Sequence, residues 1–115
     1  MLVIKVQGLP QVPEDQLRGL YLQIVISLLY VRELNLKDGR EVTCLFPANM
    51  MFCGLGEEII VEVILCEKLK CPEGVCQKLA STIGRVVRAE FPQMFVRCLV
   101  HPVNPKQGFW SSHPG

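Results

Sequence analysis

Three charged side chains interrupt strand-like apolar runs: Lys5 in Leu2–Gln7, Glu62 in Glu57–Cys66 and Arg97 in Met94–Val100. A guanidinium or ammonium so placed can hold a substrate carboxylate, and a nearby carboxylate can take a proton. Lys5 and Arg97 are therefore candidate substrate-binding residues, and Glu62 is a candidate catalytic base. The same set also has a structural reading. Charges enclosed in an oligomer need partners, and these could compensate one another.

The remaining reactive residues point to less. Of six cysteines, Cys44, Cys66 and Cys98 sit inside apolar strand patterns, which suits free buried thiols in a reducing cytoplasm. Cys66, Cys71 and Cys76 are evenly spaced, but there is no CxxC, and His101 and His113 lie far along the chain. No metal site is expected from such spacing. Gly54-Leu55-Gly56 lacks the rest of a phosphate loop, and no dinucleotide pattern is present, so no cofactor is expected. A net charge of +1 without a Lys/Arg block argues against nucleic acid or an anionic membrane as partner. The apolar stretch Leu20–Val31 is too short to span a bilayer and contains Gln23 and Ser27. Met1 leads straight into strand-like alternation rather than a secretory signal, and a cytoplasmic protein is expected.

Half of the 115 residues are hydrophobic and 20% are charged, enough for a single domain with a real core. The near-continuous Ile/Val run Glu57–Cys66 predicts a central strand covered on both faces. Before it, Leu2–Gln7 predicts a strand. Pro13, Glu14 and Asp15 open a helix whose apolar positions are Leu17, Leu20, Tyr21, Ile24, Leu28 and Val31. The turn segment Asn35–Arg40 precedes a strand over Glu41–Phe46. Pro72-Glu73 opens a second helix, with Cys76, Leu79, Ile83, Val86 and Val87 on one face, and Pro92 ends it. Met94–Val100 is the fourth strand, closed by His101-Pro102.

The two halves repeat. Val3-Ile4-Lys5-Val6 aligns with Ile60-Val61-Glu62-Val63, and Pro13-Glu14 with Pro72-Glu73. Val42-Thr43-Cys44-Leu45-Phe46 aligns with Val96-Arg97-Cys98-Leu99-Val100. A duplicated β-α-β unit follows, with halves at about 1–47 and 57–102 of one domain (1–101) and a tail over 102–115. Such a unit predicts an α+β fold: a four-stranded mixed sheet with both helices on one face. Alternation then sorts the strands into a wholly apolar face and a second face bearing Val3, Lys5, Gln7, Thr43, Leu45, Ile60, Glu62, Ile64, Phe95, Arg97 and Leu99. That second face is too apolar for water and too charged for a dry core, so a homo-oligomer is expected to bury it around a polar strip.

A duplicated β-α-β chain of this length, with a helix-free sheet face, resembles the tautomerase superfamily typified by macrophage migration inhibitory factor. The run Phe95-Val96-Arg97 through Gly108-Phe109-Trp110-Ser111 is similar to the end of such chains, where a Gly and a Trp follow the final strand. The resemblance implies a trimer in which three sheets form a central barrel, with sites at subunit junctions. It also implies a catalytic N-terminal proline, exposed by loss of Met. Here Leu2 stands at that position, and its size implies that Met1 stays. The α-amine of Met1, with a reference pKa of about 7.7–8.0, is then the candidate that could take a proton or form an imine. Phe109 and Trp110, with Met50, Met51 and Phe52, either pack on a neighbouring subunit or line a junction pocket for a small carboxylate.

Two functions stay open: an oligomeric binding or structural protein without proline chemistry, or an isomerase or lyase acting on a small keto or enol acid. A monomeric ferredoxin-like ligand-binding domain is the alternative architecture, leaving the helix-free face to another protein.

Overall fold

The computed structural model describes residues 2–34, 36, 41–47, 58–66, 73–103, 105–108, 110 and 112. Strand β1 (Leu2–Gln7) is followed by helix α1 (Glu14–Leu29), a 3-10 turn over Arg32–Leu34, and strand β2 (Val42–Leu45). Strand β3 (Glu58–Cys66), helix α2 (Glu73–Glu90) and strand β4 (Phe95–Val103) then repeat the pattern. The loop reading over 47–56 falls largely outside the described residues.

The sheet order is β2-β1-β3-β4, with the outer pairs parallel and the central β1–β3 pair antiparallel. Each parallel pair belongs to one β-α-β half, so the duplication is visible as two units joined back to back along β1 and β3. The glycine ending β1 permits the close pairing there. Gly8 has φ +86°, and a Cβ on it would collide with the Glu58 carbonyl oxygen.

Alternation divides the strands as the period of two requires. Leu2, Ile4 and Val6 of β1 and Ile59, Val61, Val63 and Leu65 of β3 are buried beneath the helices. From above, α1 contributes Leu20, Ile24, Val25 and Leu28, and α2 contributes Leu79, Ile83 and Val87. These side chains form one core cluster.

Pro13 sits at the N-cap of α1 in an extended conformation, and its carbonyl accepts the Gln16 amide at 3.0 Å. Glu14 and Asp15 occupy the first turn, where carboxylates suit the helix dipole. The Tyr21 hydroxyl donates to the Val42 carbonyl at 3.2 Å, tying α1 to β2. Two contacts show that the helices run antiparallel. Gln16 near the start of α1 donates to Glu90 at the end of α2 (3.0 Å), whereas Lys78 pairs with Glu33 just after α1 (3.2 Å).

Two strand ends differ from their sequence expectation. β2 is shorter, Val42–Leu45, since its ladder lies against Leu2–Lys5 alone, and Phe46 and Pro47 leave it. β4 is longer and continues through His101 and Pro102 to Val103, which pairs with Cys66. Pro102 does not stop it because β4 is an edge strand, where a missing N–H can face outward.

Candidate functional site: the helix-free sheet face

Strand register places the helix-free face as a grid. One row across the sheet reads Leu45, Lys5, Glu62, Leu99. The next row, towards the start of β1, reads Thr43, Val3, Ile64, His101. On the other side lie Gln7, Ile60 and Arg97, followed by Glu58 opposite Phe95. Lys5 and Glu62 are thus directly opposed on the two central strands, as the repeat requires. An opposite-charge pair in that position supports the sheet itself and is also the centre of a polar strip.

Arg97 lies on the strand beside Glu62, but its ion pair goes elsewhere. Its Nε is 3.1 Å from Oε1 of Glu58, a residue that sequence reasoning did not single out. The Glu58 side chain is only 12% exposed and that of Arg97 61%, so the guanidinium reaches back over the carboxylate and keeps a free edge. Glu58 is four residues before Glu62, on the same strand face, which is the signal that could have found it. The site's charges therefore form two units, Lys5 opposite Glu62 and Arg97 on Glu58.

The surrounding face is apolar. Phe95 is 74% exposed, and Leu45 and Leu99 are both more than two-fifths exposed. Trp110 is 85% exposed. Met1 and Phe109 lie outside the described residues. Among the described residues no group of three or more His, Cys, Asp or Glu side chains converges to hold a metal, and no helix is long and apolar enough to cross a membrane.

Cys44 and Cys98 are matched between the halves and face the helices, not this site. Burial pushes their thiols up, to about 12 for Cys44 and about 11 for Cys98, so neither is a thiolate near neutrality. A groove of about 560 Å³ lies on that helix side, between α2 and β4, lined by Ser81, Gly84, Arg85, Arg88 and Cys98 among others. Among the described residues the helix-free face is a sheet surface without such walls. A ligand there needs a second surface to enclose it.

Solved structures share this fold. A fused 4-OT protein described as a symmetric trimer superposes with a TM-score of 0.68 at 9% identity, over 96% of this chain and 92% of that one. This is a tautomerase fold. A malonate semialdehyde decarboxylase, FG41, inhibited by 3-bromopropiolate matches this tautomerase-fold chain with a TM-score of 0.64 at 14% identity, covering 98% and 90%. A domain of unknown function from Sebaldella termitidis matches with a TM-score of 0.69 at 13% identity, covering 98% of both chains. No protein-family model and no curated protein matches the sequence. The likeness is one of fold.

Proposed function

We propose that this tautomerase-fold chain is an oligomeric binding protein, a trimer whose helix-free faces meet and whose junctions take a small carboxylate. The observation that carries the reading is the helix-free face, where opposed Lys5 and Glu62 and the Arg97–Glu58 pair are set among exposed Leu45, Phe95 and Leu99. A face of this mixture is stable when a second copy covers its apolar part and leaves the charges a ligand to bind. Lys5 and the free edge of Arg97 supply the carboxylate contacts, with Trp110 as an apolar wall from the chain end; Phe109, the other sequence candidate, lies outside the described residues. One solved neighbour is a symmetric trimer, and another is a malonate semialdehyde decarboxylase inhibited by 3-bromopropiolate; both of those compounds are small carboxylates.

Leu2 stands where proline-dependent tautomerases carry their base, an N-terminal secondary amine that leucine does not supply. The binding reading therefore excludes proline chemistry. An isomerase or lyase reading is favoured by one observation, the placing of Glu62 directly opposite Lys5. The ammonium would steady an enolate as Glu62 or the Met1 amine takes the proton, with Arg97 as carboxylate anchor.

The test is keto–enol tautomerisation of an arylpyruvate by the unaltered protein and by a Leu2→Pro variant processed to expose its proline. The binding reading expects a silent unaltered protein and a gain of activity in the variant. Turnover by the unaltered protein that Glu62→Gln abolishes would replace it with the enzyme reading.

A further inference from the structure

Helix α1 is apolar on two opposite sides. Leu20, Ile24, Val25 and Leu28 face the sheet, yet Leu22 (56% exposed), Ile26 (47%), Leu29 (44%) and Tyr30 (81%) form a second stripe on the outside. A surface helix normally keeps polar residues there. This stripe points away from the sheet, so joining the helix-free sheet faces cannot cover it.

Gly19 belongs to the same outer face, three residues before Leu22 and seven before Ile26. It is exposed in mid-helix, and a Cβ added to it would meet no described atom within 4 Å. Glycine weakens a helix interior relative to alanine, and among the described residues nothing within the protomer requires it. A helix packed closely from outside would. Tyr30, the most exposed residue of the stripe, lies eleven residues further on, about three turns away at the other end.

The charges at the two ends fix the direction of that helix. At the start of α1, Glu14 holds Arg18 at 2.9 Å, leaving Asp15 as the outward anion. Beyond its end, Glu33 holds Lys78, leaving Arg32, which also lies in the field of Glu33, as the outward cation. Like ends would repel and unlike ends attract.

We propose that the outer face of α1 is a two-fold interface with a second copy of this chain, its α1 running antiparallel. Tyr30 of each copy seats over Gly19 of the other, Leu22 packs beside Ile26, and Asp15 approaches Arg32 across the contact. The contact is isologous, since one patch supplies both the knob and the hole. It is independent of the sheet-face assembly proposed above.

Sedimentation equilibrium of the full chain and of Gly19→Gln tests it. Glutamine is the better helix former, and the described residues leave open space for it, so the thermal midpoint should hold or rise while the mass falls to that of the assembly without the α1 contact. Asp15→Arg should give the same fall, and Asp15→Arg with Arg32→Asp should restore the mass. Equal masses for the unaltered chain, Gly19→Gln and Ile26→Glu would overturn the proposal. A substitution on the sheet face, Leu99→Glu, leaves the α1 contact intact, so failure of one interface is read separately from failure of the other.

Discussion

At the residue scale, burial sets the state of the two matched thiols, and this has a pH consequence. An unfolded cysteine titrates near 8.5, whereas Cys44 and Cys98 in the folded chain are raised to about 12 and about 11. Between those values the folded state keeps protons that the unfolded state has lost, so stability falls as pH rises. Denaturant midpoints should therefore decline from about pH 9 upwards, and a Cys44→Ala/Cys98→Ala variant should decline less. An equally steep decline in the double variant would place the effect elsewhere. The charged residues show what can be read from a sequence at this scale. Lys5 and Glu62 were legible as opposed, because the repeat makes them equivalent and equivalence puts them on paired central strands. The Arg97–Glu58 pair was not. Alternation fixes which face a residue takes, but a slide of two residues between parallel strands preserves every face and changes every neighbour.

The helices and strands followed from patterns with strong physical causes. Pro13 marks the start of α1, α2 opens at Glu73, and the inner stripe of each helix recurs at helical spacing. Leu79, Ile83 and Val87 are all fully buried, as their spacing in α2 requires. Truncating one of them, Ile83→Ala, should cost about 2–5 kcal/mol, the range for removing a buried large aliphatic side chain. Chemical denaturation at fixed pH checks this, and a loss below 1 kcal/mol would mean that the helix–sheet layer is looser than described. Strand ends were less legible. The length of β2 depends on how much of β1 is left to pair with it, and Pro102 breaks a central strand but not an edge one. The outer stripe of α1 went unread for a related reason. Once Leu20, Ile24 and Leu28 account for burial, periodicity alone does not flag a second apolar side.

For the whole molecule, the duplicated unit sets the architecture. Two β-α-β halves joined along β1 and β3 put both helices on one side and leave one sheet face bare. That topology was legible because each half repeats the same order of strand, helix and strand. The identity of a ligand was not, since the proposed site, completed by neighbouring subunits, would take its shape from residues of more than one chain. Leu2 stands where the resemblance implies proline, and the proposed function for that reason sets proline chemistry aside.

Burial of the helix-free face between subunits is tested most directly by sedimentation equilibrium of the unaltered chain beside Leu99→Glu. The protomer mass is 13.0 kDa. The unaltered chain should sediment at a multiple of three protomers, and Leu99→Glu, which sets a carboxylate in the apolar rim beside Glu62, should dissociate that threefold unit. An unaltered chain at a single protomer mass, or a variant that keeps the full mass, would contradict it.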